Sequence, residues 1–499
     1  MLRTSSYTIY VDLPDREDEL LLVHGYTGAY DQVSKEVADF LRGRESQRPP
    51  KPLYGTWAPQ PDPSGAATPS DGVLDTLRER GYLTSLDPAA ESEFFARLTE
   101  RLHHQELRGT PSYILMPTYD CNLRCSYCFQ DAMRTDCSLR HLLRTLQPGM
   151  ADRIFAALPE IEARHGVDPG NPGRRSFGLF GGEPLLAANR GIVEHILGRI
   201  AELGPATVWA VTNATQLEAY GDLLGPGAIE RLQITLDGPP EEHDRRRIGA
   251  DGSGTFEAIA RGIDLALERR AKIEVRLNLD RSNIAQVPAL VDELYARGWP
   301  GQEGFSVYSA PIHASNEQTD RRTTFDAWQL DRALSELRRE HPRMALVARP
   351  DEGLRNRTRR LFAGDESPIP QLRPVFCGAH SKMYIFDPFG DIYACWEKTG
   401  DAKIRVGHIE PSGKVQIEPR VEASWRSRNV ASNPVCRQCR YALHCGGGCA
   451  ILALGRRGTL HSNYCDGFAS RFRASVAESY LAHLETEPAT TVGERACDL

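Results

Sequence analysis

No stretch of this sequence approaches 18 consecutive apolar residues, so a membrane-spanning helix is excluded by the length that a bilayer core demands. A secretory signal is missing as well: acidic residues interrupt MLRTSSYTIYVDLPDREDE where such a signal carries its apolar core, and a cytoplasmic protein with no membrane partner is expected. Nor is there a basic patch. Lys and Arg (60) are outnumbered by Asp and Glu (67), the formal charge is -7, and the cations are scattered, which leaves no electrostatic footprint for nucleic acid. The compositional bias of disordered or collagen-like chains is also lacking: 40% of the residues are hydrophobic, 25% are charged, and 43 Gly and 33 Pro are ordinary globular usage. At 499 residues the chain has room for roughly two to four domains, each able to bury a core.

Cysteine is scarce but concentrated. Ten of the 12 cysteines fall in two groups, and none lies between residues 138 and 376. Without an export signal, such thiols point to metal binding or catalysis before disulfides. The first group is the run Cys121-Asn-Leu-Arg-Cys125-Ser-Tyr-Cys128. Three thiolates this close can wrap one four-iron cube and leave one iron open to a non-protein ligand. A zinc loop completed by a distant fourth ligand is the alternative. The second group comprises Cys377, Cys395, Cys436, Cys439, Cys445, Cys449 and Cys465. Seven thiolates exceed one zinc or one cluster, and two zinc ribbons ordinarily want more, so two iron-sulfur clusters with one non-cysteine position is the economical count. Gly390 in FDPFGDIYAC marks a hairpin turn needing positive φ, and Gly446 to Gly448 let the chain pass close to inorganic sulfur. Cys137 and Cys497 are bystanders.

Strand-like and helical patterns alternate around these thiols. SYILMPTYD (112–120) leads into the first cysteine run, and FGLFGGEPLL (177–186) is an apolar strand breaking into a Gly-Gly-Glu-Pro turn. Glycines there admit a ligand to the backbone, and Glu183 offers a carboxylate to an ammonium group. TVWAVTNAT (207–215), RLQITLDGPP (231–240), IEVRLNLDRSN (273–283) and GFSVYSAPIH (304–313) continue the alternation, for six strands in all.

These features resemble the radical S-adenosylmethionine (radical SAM) enzymes, whose signature has three cysteines so spaced and an aromatic residue before the last, here Tyr127. The resemblance implies an α/β fold with a partial (β/α)6 TIM-like barrel whose chemistry sits at the carboxyl ends of the strands. It implies that Cys121, Cys125 and Cys128 hold a catalytic 4Fe-4S cluster. Tyr127, Gly181, Gly182, Glu183 and Pro184 would contact S-adenosylmethionine, the last four at its methionyl amino end. Asn213, Thr235, Asp237, Arg276 and Asn278, from the strand-end segments VTNAT, ITLDGPPEEHDRRR and VRLNLDRSN, would reach its ribose and carboxylate; for each of these five, capping of a strand end is the alternative.

The second cysteine group is similar to the SPASM domain, an iron-sulfur extension of radical SAM enzymes that modify peptides and proteins. By that resemblance one auxiliary 4Fe-4S cluster takes Cys436, Cys439, Cys445 and Cys465, and the other takes Cys377, Cys395 and Cys449 with its last position open to a substrate or another side chain. Three clusters are therefore expected.

In the amino-terminal hundred residues, YTIYVDL (7–13), LLLVHG (20–25) and TGAYDQV (27–33) are three short strands, followed by helices in SKEVADFLRG and SDGVLDTLRERGYL. ESQRPPKPLYGTWAPQPDPSGAATPS (45–70) is a linker. ESEFFARLTERLHHQE (91–106) is an amphipathic helix, with His103 and His104 facing solvent. The order of three strands and then helices resembles the winged-helix (RRE-like) leader-binding module of ribosomal peptide maturation, which would bind by strand addition to a sheet edge. A structural extension of the barrel is the alternative.

The expected organisation is a winged-helix-like module and linker at 1–106, a radical SAM barrel at 107–315, a helical connection at 316–372, a SPASM domain at 373–470, and a helix and tail at 471–499. The expected function is that of a maturase that cleaves S-adenosylmethionine to a 5'-deoxyadenosyl radical and cross-links a ribosomally made precursor peptide. A reductase, flavodoxin or ferredoxin would supply the electron. Three alternatives stand beside it: a formylglycine-generating sulfatase maturase, although the Asp that follows the second cysteine in those relatives is Trp396 here and Glu397, a candidate base, would lie on a different side of the backbone if this is a strand; a peptide epimerase; and a non-catalytic iron-sulfur or zinc adaptor.

Overall fold

The computed structural model describes residues 2–14, 16–45, 67–314, 316, 318–362 and 372–486; most of the expected linker and Cys497 lie outside them. The chain forms two compact units, one from Leu107–Pro350 and Gly378–Arg426, the other from Met1–Glu106, Asp351–Cys377 and Ser427–Leu499. Among the described residues no helix is long and apolar enough to cross a membrane.

The first unit is built on an eleven-stranded mixed sheet. The six expected strands pair in parallel and in chain order: Ser112–Leu115, Arg175–Leu179, Ala206–Thr212, Arg231–Thr235, Lys272–Leu279 and Phe305–Pro311, with Val347–Ala348 at the outer edge. Helices return the chain between them, as parallel pairing requires. Phe177 and Tyr113 are fully buried and stack at 5.4 Å, with Phe155 of the helix Pro148–Arg164 at 5.8 Å from Phe177. Each such ring contributes about 2 kcal/mol by leaving water. The helix is tied to the sheet by a two-pronged ion pair, Arg175 to Glu162 at 2.7 and 2.9 Å, and Tyr113 donates to the same carboxylate at 3.2 Å. Both partners are nearly buried, so removing Arg175 would strand a carboxylate in the core.

On the other side of Ser112–Leu115 the sheet continues with Met383–Phe386, again in parallel, and then antiparallel through Asp391–Tyr393, Arg405–Ile409 and Val415–Ile417. The expected hairpin turn is present at Gly390, with φ +82°, and a Cβ there would meet Met150 Sδ at 2.6 Å.

In the second unit Thr8–Asp12, Glu19–His24 and Tyr30–Ser34 form an antiparallel three-stranded sheet. Ile9, Val11, Leu21 and Val23 pack one face against Phe472, Val476 and Tyr480 of the helix Phe468–Thr486. Leu20, Leu22 and Val33 pack the other against the helices Lys35–Gly43 and Asp71–Glu79. Because both faces are covered, ELLLVH is apolar at consecutive positions instead of alternating. Ser34 caps its helix as expected, accepting from Val37 N at 3.4 Å. The helix Pro88–Glu106 corrects one expectation: His103 is buried, because it shares a face with Phe95 and Thr99 at helical spacing, and it receives a hydrogen bond from Asn429 Nδ2 at 3.3 Å. His104 is exposed.

Candidate cluster and cofactor site

The first cysteine run leaves the carboxyl end of Ser112–Leu115 and is held by its backbone: Arg124 N donates to Ile248 O and Ala250 N to Asn122 O, both at 2.8 Å. Asn316 Nδ2 bridges the carbonyls of Ser126 (2.9 Å) and Cys128 (3.0 Å). Two of the three sulfurs already receive donors. Arg134 Nη2 lies 3.1 Å from Cys128 Sγ, and Leu123 N and Asn213 Nδ2 lie 3.4 and 3.8 Å from Cys121 Sγ. Burial, and after it the nearby Glu183 carboxylate, pushes the Cys121 thiol up to about 12; burial also raises Cys125, against the opposing charge of Arg247. Such thiols stay protonated until a metal displaces the proton. Among the described residues no three ligand side chains converge as they would on a single ion. Three thiols on one short loop, two of them already receiving donors at sulfur, are a donor set that fits an iron-sulfur cluster.

Gly181 and Gly182 lie against the backbone that leads into the cysteine run. A Cβ on Gly181 (φ +148°) would meet Thr118 O at 2.3 Å, and one on Gly182 would meet Asp120 O at 2.1 Å and Tyr119 O at 2.3 Å. The glycines let this turn lie against the backbone that carries the cysteines. Glu183, only 2% exposed, accepts from Thr212 Oγ1 and Asn213 N at 2.6 Å each and from Leu185 N at 2.9 Å, while burial pushes its carboxyl up. Pro184 is buried beside it, and its carbonyl accepts from Asn189 Nδ2 at 3.3 Å.

Four of the expected cofactor residues meet in one network. The Tyr127 hydroxyl donates to Asp237 and accepts from Asn278 Nδ2 at 3.2 Å. Asn278 N donates to Asp237 at 3.2 Å, and Arg276 Nε to Asn278 Oδ1 at 2.8 Å. Thr235 is buried at the end of its strand, in register with Arg276. Sequence reasoning missed a further member. Arg247 Nη1 donates to the Tyr127 hydroxyl at 2.8 Å, the residue is 8% exposed, and Cys125, Tyr127 and Asp237 hold its charge. His243 was missed too; it is buried and neutral, accepts from Asp237 N at 3.3 Å, and burial lowers its pKa. Their signal was the run EEHDRRR after the fourth strand: His243 is buried on the helix Pro240–Arg246, and Arg247, four residues on, is buried just past its end.

Of the second cysteine group, Cys395 belongs to the barrel unit and the other six to the second unit. Burial, and after it the charges of Cys445, Cys439 and Cys465, pushes the Cys436 thiol up; burial and then Cys465 push Cys439 up to about 11, and burial, Asp466, Cys439 and Cys465 push Cys445 up to about 12. Gly446, Gly447 and Gly448 all have positive φ (+79°, +86° and +76°), and a Cβ on Gly447 would stand 3.8 Å from Cys436 Sγ. A Cβ on Gly446 would meet Val375 O at 2.6 Å and one on Gly448 would meet Tyr464 O at 2.1 Å, so these two glycines admit neighbouring backbone; the thiol set itself fits an iron-sulfur cluster. Trp396–Lys398 is a single 3-10 turn and not a strand; burial pushes the Glu397 carboxyl up, against the nearby charge of Arg276.

Residues 115–290 match the family described as the Radical SAM superfamily. The GTP 3',8-cyclase of Rhizobium etli (strain CIAT 652) is 29% identical over 181 residues, 36% of this chain and 46% of that protein. The chain spans about half the length of the curated relatives it matches. A structure of native anSMEcpe with bound AdoMet and Cp18Cys peptide shares the fold at a TM-score of 0.53 and 15% identity, over 75% of this chain and 98% of that one. Streptococcus suis SuiB bound to precursor peptide SuiA matches at a TM-score of 0.48 and 14% identity, over 93% of this chain and 98% of that one. With its three cysteines at the end of the first parallel strand and the family match across the barrel strands, residues 115–290 of this chain are a radical SAM domain.

Proposed function

We propose that this enzyme is a peptide maturase: it carries two auxiliary iron-sulfur clusters beside the site cluster, as in the SPASM extension, and installs a cross-link in a ribosomally made precursor. The observation that carries this reading is the mutual approach of Cys436, Cys439, Cys445 and Cys465 in a chain that already has the three-cysteine run. When bound, the reduced site cluster and S-adenosylmethionine supply a 5'-deoxyadenosyl radical that takes a hydrogen atom from an unactivated carbon. Cys121, Cys125 and Cys128 hold the cluster, and the bonds from Arg134 and Asn213 favour its sulfur ligands. Tyr127, Asp237, Asn278 and Arg276 form the wall against which the cofactor's ribose and carboxylate are oriented. Closing the cross-link removes a second hydrogen as a proton and an electron; an auxiliary cluster would accept the electron, and a carboxylate such as Glu397 would take the proton.

The three-stranded sheet near the amino terminus supports a leader-binding role in the manner of a winged-helix module. Its outer strand Tyr30–Ser34 exposes Gln32 and Ser34, and an extended leader would add there as a further strand. The bound peptide in the anSMEcpe structure agrees with a peptide substrate. A second reading, oxidation of a Ser or Cys side chain to formylglycine, is favoured by the same Glu397.

The full chain, reconstituted anaerobically with iron and sulfide and given S-adenosylmethionine, a reductant and the short peptide encoded beside its gene, is expected to yield 5'-deoxyadenosine. The peptide should be lighter by two hydrogens and inert to aldehyde reagents. An aldehyde-reactive product would establish the second reading. Solvent deuterium at Cα without other mass change would establish epimerisation, and absence of 5'-deoxyadenosine would leave the adaptor.

A further inference from the structure

The cysteine run leads at once into the short helix Ala132–Thr135, which Met133 fixes by its burial among Ile114, Met116, Tyr119, Ile385 and Tyr393. Arg134, the next residue of that helix, reaches back over the run. Its Nη2 donates to Cys128 Sγ at 3.1 Å and its Nη1 to Tyr119 O at 3.3 Å. One guanidinium thus joins the residue two places ahead of Cys121 to the last of the three thiols. Its Nε is buried without an acceptor, so these two contacts place the group. The donors at Cys121 differ in kind, because Leu123 N and Asn213 Nδ2 are neutral. Arg124 and Arg247, cations of the same region, donate to carbonyls of the run and to the Tyr127 hydroxyl. Arg134 brings a full positive charge onto a sulfur, and among the described residues no carboxylate within ion-pair distance takes that charge up.

A cube held by thiolates carries negative charge, which grows by one unit when an electron is added. A hydrogen bond to a ligand sulfur favours the more negative form, and a charged donor does so more strongly than a neutral one. Cleavage of the sulfonium waits on that electron, so a higher potential leaves more of the enzyme reduced at a given potential of the external donor. Arg134 is half-buried, and solvent screens part of its charge, which limits the expected effect to about one decade in the reduced fraction.

We propose that Arg134 is a positioning residue for the site cluster, raising through its contact with Cys128 the potential at which that cluster is reduced. Lys keeps the charge but loses the fork that spans Tyr119 and Cys128, whereas Gln offers only a neutral donor. The inference rests on the reading that Cys121, Cys125 and Cys128 hold the site cluster.

The test uses the full chain with Arg134, Arg134→Lys or Arg134→Gln, each reconstituted with iron and sulfide, assayed for iron, and titrated with dithionite while the reduced clusters are followed by electron paramagnetic resonance. The signal missing from a Cys125→Ala protein identifies the site cluster. In Arg134→Gln its midpoint should move to lower potential, the reduced fraction at fixed potential falling about tenfold, or about 59 mV for one electron, with iron content unchanged and any other cluster signal unmoved. Arg134→Lys should recover more than half of that shift. An unchanged midpoint in Arg134→Gln, equal shifts in the two variants, or an equal shift of every signal would overturn the inference. Loss of the site cluster's iron from both variants would do so as well, making Arg134 a brace only. A loss of about four irons in Cys125→Ala supports the ligand reading. A Cys125→Ala protein with the iron and signals of the parent would overturn that reading, and this inference with it.

Discussion

The hydroxyl of Tyr119 donates to Asp387 at 3.0 Å, joining the residue just ahead of the cysteine run to the turn of a hairpin whose strand pairs beside it. Asp387 is 1% exposed and also accepts the backbone N–H groups of Phe389 (2.9 Å) and Asp391 (3.0 Å). The approach to the cluster loop is thus fixed by a carboxyl far away in sequence.

Burial, and after it the charge of Asp391, pushes the Asp387 carboxyl up from 3.8 to about 7. The folded state therefore binds a proton that the unfolded chain releases, and this group's contribution to stability falls as pH rises from about 4 through about 7, then stays level. Asp387→Asn keeps an acceptor for the two N–H groups and removes the titration. Thermal melting between pH 5 and 8 should show a smaller pH-dependent loss in the variant than in the parent; equal slopes would contradict it.

Gly182→Ala should release iron from the site cluster, because the new methyl group would need the space held by Asp120 O and Tyr119 O. Backbone carbonyls cannot swing aside like a side chain tip, so the cysteine loop must shift, at a cost of about 3 kcal/mol in the folded protein. Iron content per chain after reconstitution, compared with Gly191→Ala, whose Cβ meets nothing within 4 Å, checks this.

Tyr127→Phe removes the hydroxyl that Arg247 and Asn278 donate to and that Asp237 receives. Leaving these buried polar groups unsatisfied should cost about 2 kcal/mol, read as a lower urea midpoint at unchanged slope.

Cys125→Ala should abolish 5'-deoxyadenosine formation, since two remaining thiolates do not hold the cluster on which the superfamily's chemistry depends. Turnover equal to that of the parent would refute the ligand assignment.

Cys465→Ala should leave 5'-deoxyadenosine formation measurable and stop the peptide product. Asn463 Nδ2 donates to this sulfur at 3.1 Å, so the variant loses one ligand without disturbing the barrel unit. Simultaneous loss of both activities, with a lowered melting temperature, would indicate collapse instead.

The six barrel strands were legible because each is a short apolar segment between helical patterns, and the hairpin at Gly390 because only glycine suits its turn. The parallel pairing of Met383–Phe386 with Ser112–Leu115 was not legible, since pairing between distant strands leaves no periodic mark in either. Arg247 escaped for a related reason. It sits among other charged residues and looks solvated, and only packing by distant segments makes it a buried cation beside sulfur. His103 was misjudged in the same way, a histidine in a polar stretch that an adjoining segment covers.

The amino-acid sequence by itself determined where the thiols stand along the chain, and with them the superfamily, because three cysteines within one short loop are local neighbours in any fold. Tertiary structure alone decided which charges face those thiols and which carboxyls are driven toward neutrality. Desolvation and Coulomb interaction depend on the distance through space to residues such as Asp387 and Arg247, and that distance is set only when the sheet and its loops close around them.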